Sequence, residues 1–338
     1  MIKRRGFLQF STAAISGLVL PCLALGQGKA LGHWSALANM PYAVQEIYPA
    51  LLAGQIHIVG GFTPGEKSVA PTDRHIQYNI ASNQWRELAP LPAARHHPQL
   101  VACQGILYAL GGFGVTDSGQ WAMQKQSWQY NAANNTWQET TAAPEMHAET
   151  VAGVIDSAIH IVGGRTPTSQ SNASWLDHSD SKRHLLFDVS TKTWSQAAPA
   201  LNARNSAAGA VINGQLYVVG GRRTSGGNAD HLEVYDPAED RWRLAAPLPQ
   251  AQGGLAAAAI NGQLIAFGGE FFGKDGFGVY SNTWCYNPER DQWSAVTAMK
   301  TPRHGLGAVG DGNAVYTMGG ATGVATRGTS AVVEKLSF

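Results

Sequence analysis

Six glycine pairs recur along the 338-residue chain: Gly60-Gly61, Gly111-Gly112, Gly163-Gly164, Gly220-Gly221, Gly268-Gly269 and Gly319-Gly320. Successive pairs lie 48 to 57 residues apart, and each ends a short apolar run such as Ile56-His57-Ile58-Val59 or Leu216-Tyr217-Val218-Val219. Runs this short, stopped by glycine, read as strands rather than helices. A fixed period of about 50 residues means one supersecondary unit stacked on its own copies, which overrides the two domains that length alone suggests.

A second mark keeps the same period. An aromatic residue and a tryptophan sit seven apart in five units: Tyr78/Trp85, Tyr130/Trp137, Phe187/Trp194, Tyr235/Trp242 and Tyr286/Trp293. The fourth unit shows a whole repeat. A strand over 207–212 meets a tight turn at Asn213-Gly214, and a second strand over 215–219 runs into the glycine pair. A third strand follows over 232–235, then a turn at Asp236-Pro237 and an outer strand at Trp242. The recurring Tyr and Trp rings are read as packing between repeats.

These two locked marks resemble the kelch repeat, one four-stranded blade per unit. The resemblance covers roughly residues 31–338 and implies an all-β, six-bladed propeller. The sixth unit has strands expected near 306–309, 314–318 and 331–336 but no Trp strand of its own. His33-Trp34-Ser35-Ala36-Leu37 precedes the first unit, and this N-terminal segment is expected to close the last blade and remove the open sheet edge.

Residues 1–30 read as a targeting segment: Lys3-Arg4-Arg5-Gly6-Phe7-Leu8 precedes a charge-free apolar stretch over 11–25. This resembles the signal of the twin-arginine translocase and implies a periplasmic protein. No other segment is apolar for long enough to span a membrane, so no membrane contact is expected after cleavage. Loss of Lys3, Arg4 and Arg5 on cleavage takes the formal net charge from +1 to about −2, so no basic field favours nucleic acid. Cys22 leaves with the leader, and Cys103 and Cys285 read as buried free thiols.

Counting from the second glycine of each pair aligns the repeats. Fifteen residues before it stand Glu46, His97, Glu149, Ser206, Gly254 and Gly305. One residue after it stand Phe62, Phe113, Arg165, Arg222, Glu270 and Ala321. In the kelch propellers that the chain resembles, both sets face the pocket at one mouth of the channel. Arg95, Arg204 and Arg303, seventeen before, match an arginine that is commonly structural in those repeats. The rim charges either pair with one another or receive a polar ligand. Trp121, Trp175, Phe271 and Phe272 lie in the long loops over the same mouth, outside the Tyr/Trp frame. Aromatic faces beside charged donors suit a sugar. Asp177-His178-Ser179-Asp180 and His184 lack a metal-ligand spacing, and no dinucleotide or phosphate loop is present, so neither a metal nor a cofactor is expected.

Glu270, just after a glycine pair, resembles the acid/base glutamate of the N-acetylneuraminate epimerases, exported kelch propellers that interconvert sialic acid anomers. Their glutamate belongs to the fourth blade and Glu270 to the fifth. They carry an arginine later in that loop, where this chain has Lys274. The resemblance implies an acid/base role for Glu270 alone. Mutarotation needs a base and an acid, for which the rim offers Glu270 as base and His97 or Glu149 as acid, with Arg165 and Arg222 for a substrate carboxylate and Glu46, Ser206, Phe62, Phe113, Trp121 and Trp175 as further ligand contacts. The other open reading is a non-catalytic module that binds a glycan or a protein at the same mouth. A copper-radical oxidase, also built on a kelch propeller, is disfavoured: no Tyr-Cys and His ligand set is found, and both remaining cysteines read as core.

Replacing Arg4 and Arg5 together with lysine is expected to abolish periplasmic accumulation, measured by cell fractionation; unchanged periplasmic amounts would reject this export route.

Overall fold

A computed structural model describes residues 32–66, 69–273 and 276–338. The expected leader, Cys22 and Lys274 lie outside the described residues. Six four-stranded antiparallel sheets stand around one axis. Blade 4 is representative: inner strand Ala208–Ile212, second strand Gln215–Val219, third strand Leu232–Asp236, outer strand Arg241–Ala245. Among the described residues the only helical element is a three-residue turn at Trp175–Asp177, and no helix is long and apolar enough to cross a membrane.

The core is six wedges, one at each blade interface. Leu216 and Val218 pack toward blade 3, while Tyr217 and Val219 of the same strand pack toward blade 5. Alternate residues of a strand face opposite sides, so a strand sandwiched between blades must be apolar throughout. Cys103 and Cys285 are buried and free within these wedges.

The Tyr/Trp frame clamps blade to blade. The indole Nε1 of Trp85, Trp137, Trp194, Trp242 and Trp293 donates, at 2.8–3.1 Å, to a carbonyl just past the outer strand of the preceding blade. Tyr78, Tyr130, Tyr235 and Tyr286 donate their hydroxyls to Asn83, Asn135, Asp240 and Asp291. The same side-chain oxygens accept the backbone N–H of Ala38, Ala89, Ala198 and Ala246 in the preceding linker. Blade 3 has Phe187 in place of the tyrosine, and Lys192 in place of the acceptor: without a hydroxyl to donate, the acceptor has no tyrosine partner.

Closure occurs as expected. His33–Ala36 pairs antiparallel with Val333–Ser337, with Trp34 opposite Leu336. Trp34 is fully buried, and its Nε1 donates to the carbonyl of Thr297 just past blade 5, so it occupies the sixth tryptophan position.

The long loops over the mouth carry strands of their own. Four of them are β-hairpins that continue from the glycine pairs: Phe62–Pro64 with Val69–Pro71, Phe113–Val115 with Trp121–Met123, Arg165–Pro167 with His178–Asp180, and Glu270–Gly273 with Gly276–Val279. Their arms have three or four residues, too few for alternation to be legible.

Blades 1 and 3 each bury a histidine pair. His57 Nδ1 lies 3.0 Å from His75 Nε2, and His160 Nδ1 lies 2.8 Å from His184 Nε2. Burial lowers His57, His160 and His184 to about 4, and burial with the His57 charge lowers His75 to about 3.

Two outcomes follow for stability. Trp34→Ala is expected to cost about 3–5 kcal/mol by denaturant titration, the usual loss for a buried tryptophan, and removal of residues up to Pro41 to cause aggregation; a truncated monomer with an unchanged Tm would refute the closure. For the histidine pairs, the folded values lie below the unfolded value, so the unfolded chain binds more protons at intermediate pH. Stability is full above about pH 6.5 and falls as pH drops toward 4, by about 3 kcal/mol for an imidazole displaced over that range. His160→Leu with His184→Leu should flatten that pH slope in denaturation measured between pH 7 and 4.

Candidate ligand site at the channel mouth

Two sets of backbone bonds fix the mouth before any side chain matters. The N–H of the second glycine in each pair donates to a carbonyl of the next blade, at 2.8–3.0 Å: Gly61 to Arg95, Gly112 to His147, Gly164 to Arg204, Gly221 to Gln252, Gly269 to Arg303 and Gly320 to Val44. All twelve paired glycines have positive φ, and a Cβ on Gly60, Gly220 or Gly268 would sit 2.5–2.6 Å from a carbonyl oxygen of the neighbouring blade. Only glycine fits.

Above that ring the chain turns sharply into each inner strand. Glu46, His97, Glu149 and Ser206 turn with φ of 48–57°, and Gly254 and Gly305 with 67° and 57°. These turns are tied to one another: Glu46 N donates to Gly305 O, Gly305 to Gly254, Gly254 to Ser206, Ser206 to Glu149, and His97 to Glu46. Blades 1 to 4 thereby each place one side chain at the rim, and blades 5 and 6 place none. The hairpins rise from the adjacent positions and wall the mouth, enclosing a cavity of about 800 Å³.

Ten of the eleven expected residues line this cavity: Glu46, Phe62, His97, Phe113, Trp121, Glu149, Arg165, Trp175, Arg222 and Glu270. Ser206 does not. It lies behind Glu149, with its hydroxyl 2.6 Å from Glu149 Oε2, and so supports that carboxylate rather than facing the cavity. Phe272 reaches the cavity, while Phe271 turns onto Tyr280. Arg204 and Arg303 are buried inside their blades on Glu233 and Glu334, and Arg95 lies over Trp128, consistent with structural roles.

The floor is an ionic network. Arg222 pairs with Glu270. The Nε of Arg165 lies 3.1 Å from Glu149 Oε2, and its guanidinium is capped by Trp175, 3.3 Å from the ring centroid. Burial opposes ionisation of Glu149, but the charges of Arg165, His97 and Arg222 and the Ser206 hydrogen bond outweigh it and hold the carboxyl below its usual range. Burial is likewise outweighed at Glu46, where the charge and hydrogen bond of His97, with His304 and Arg222, lower the value. Glu46 Oε2 lies 2.7 Å from His97 Nε2. His97 Nδ1 lies 2.7 Å from His96 Nδ1, so both nitrogens of His97 are engaged. His96 is stacked between Phe62 and Phe113, at centroid distances of 3.9 and 4.6 Å; burial and the His97 charge lower its pKa.

Sequence reasoning missed the layer one residue earlier in the repeat: Gln45, His96, Ala148, Asn205, Gly253 and His304. Each forms an isolated bridge to the residue after a glycine pair, and the same count taken at sixteen would have found them. Arg223, beside Arg222 in blade 4, also lines the cavity and makes no ion pair among the described residues. Asp177 and Asp180 are structural, Asp177 closing the capping box of the short helical turn and Asp180 accepting from Asn205 and Thr224, while His178 between them lines the cavity.

A protein-family profile described as the KLHDC2/KLHL20/DRC7 Kelch-repeats domain matches residues 147–331. Kelch-like protein terF of Aspergillus terreus is 30% identical over 226 residues, covering 62% of this chain and 48% of that protein. Kelch-like protein 35 of Mus musculus is 26% identical over 207 residues, covering 61% of this chain and 32% of that protein. The chain thus spans less than half the length of these curated relatives. The solved structure of YjhT superimposes with a TM-score of 0.73 at 20% identity, covering 89% of this chain and 96% of that one; this likeness is of fold.

Proposed function

The chain belongs to the Kelch-repeat family, and from that premise we propose that it is a periplasmic propeller that binds a small anionic sugar at the channel mouth and speeds exchange between its anomers. The observation that supports this most is one cavity that joins aromatic walls, Phe62, Trp121, Trp175 and Phe272, to a floor of fixed acid and base groups. The walls offer stacking faces for sugar C–H groups, and the floor offers partners for hydroxyls. Arg223 is the guanidinium left for a substrate carboxylate, because Arg165 and Arg222 already hold Glu149 and Glu270.

Anomer exchange removes a proton from the anomeric hydroxyl while the ring carbon–oxygen bond breaks and the ring oxygen gains a proton. Glu270 takes the first proton. Its carboxylate is positioned by Arg222 and by the N–H of Ala325, which donates to Oε2 at 2.8 Å. The second proton comes from the one shared by Glu46 Oε2 and His97 Nε2. Glu149, held ionised by Arg165, binds hydroxyls and does not serve as the acid. Closure on the other face runs both transfers in reverse, so no cofactor is consumed.

A second reading, a non-catalytic module for a glycan or protein, draws support from the exposed crown: Trp175, Leu176, Phe272 and Phe277 project from the hairpins. Calorimetry and proton NMR with a freshly dissolved single anomer of N-acetylneuraminic acid separate the two. Arg223→Ala is expected to weaken binding by about 1.5–3 kcal/mol, the worth of a charged hydrogen bond. Glu270→Gln should leave affinity nearly intact and return exchange to the buffer rate. Binding without acceleration by the wild type sinks the enzyme and leaves the module, whereas absence of binding sinks the sugar itself.

A further inference from the structure

His304 stands between two carboxylates and is assigned no part in the steps above. It is 1% exposed, with Nδ1 3.7 Å from Glu46 Oε1 and Nε2 3.5 Å from Glu270 Oε2. Neither ring nitrogen has a hydrogen-bond partner at these distances. Its backbone is fixed by mutual bonds with Ala321, so the ring is the part free to favour one carboxylate or the other. The charged and titratable groups around it are Glu46 with His97 on one side and Glu270 with Arg222 on the other; Arg303, next in sequence, points away to Glu334. A neutral imidazole donates from one nitrogen only, so between two carboxylates its other nitrogen turns a lone pair on an acceptor, a cost that uptake of a second proton removes.

Resting on the anomer-exchange reading, we propose that His304 stores the abstracted proton while the sugar is open. In the closed state Glu46 faces a protonated His97. Ring opening spends that proton on the ring oxygen and leaves His97 neutral, while Glu270 has gained the proton of the anomeric hydroxyl. Glu270 Oε2–H then passes its proton to Nε2 of a His304 whose Nδ1–H points at Glu46. The imidazolium lies between two carboxylates, and Glu46 regains a neighbouring cation. On closure the proton returns from Nε2 to Glu270 and from there to the carbonyl oxygen, as the ring hydroxyl returns its own proton to the Glu46–His97 pair. No proton is gained or lost over the cycle. Glu46 therefore faces a positive imidazole in both states, His97 in one and His304 in the other. His304 touches no substrate atom; it is a positioning and proton-holding residue that acts through Glu270.

The test uses the full chain with N-acetylneuraminic acid as the probe. His304→Gln keeps a hydrogen-bonding side chain of similar reach but accepts no proton. Its affinity by calorimetry should stay within about twofold, and its Tm should be unchanged. Exchange by NMR should fall about a hundredfold, within the range for losing one acid–base group, and its pH profile should lose one limb. Exchange at the wild-type rate overturns the proposal. A second readout needs no sugar: the ¹⁵N resonances of the His304 ring, followed through a pH titration, should move to lower apparent pKa in both Glu46→Gln and Glu270→Gln. A His304 titration indifferent to either carboxylate overturns it as well. If the wild type accelerates no exchange, the reading of the mouth as an enzyme fails and this role of His304 falls with it; exchange by the wild type that His304→Gln leaves intact overturns the role alone.

Discussion

The second glycine of each repeat donates its N–H to a carbonyl of the following blade, and the rest of the molecule depends on that contact. It sets how closely two sheets approach at the axis, and its closure from Gly320 to Val44 makes the ring a ring. Because neighbouring backbone fills the space where a Cβ would stand, the pair is a geometric requirement rather than a preference for flexibility. The apolar wedges and the Trp clamps then stabilise an arrangement whose spacing the backbone has already set.

The clamps show how side chains follow from that spacing. Each Trp Nε1 reaches a carbonyl past the preceding outer strand, and each Tyr needs an Asn or Asp at a fixed offset. Trp34 satisfies the same rule from the opposite end of the chain, which is why the blade closes on residues 33–36. Seam and ordinary interface are chemically alike.

Fold and rim were legible in the sequence for one reason: both are periodic. Counting from a glycine pair works because the backbone path from rim to glycine is the same in every blade, so Glu46, His97, Glu149 and Glu270 converge although they come from four different repeats. What does not repeat was harder to read. The hairpins over the mouth differ in length and composition, and three-residue arms such as Phe113–Val115 leave no alternation to detect. His96 and His304 escaped notice because they occupy the bridging position, whose Gln45, Ala148 and Gly253 counterparts have no ionisable side chain. Ser206 misled because a shared backbone position does not fix depth: a short hydroxyl at the rim meets its neighbour's carboxylate before it meets the cavity.

The left-handed turns at the rim carry one further consequence. A side chain in that conformation costs on the order of 1–2 kcal/mol relative to glycine, and glycine already occupies the turn in blades 5 and 6. The strain therefore falls on Glu46, His97, Glu149 and Ser206, the four turns that bear functional groups. Since the turn is held by backbone bonds, the fold does not need these side chains to make it. The mouth is a set of six interchangeable sockets, in which the chemical content of the site can change from lineage to lineage while the scaffold stays the same, and in which a blank ring of glycines would relieve backbone strain while losing every group that gives the mouth its chemistry.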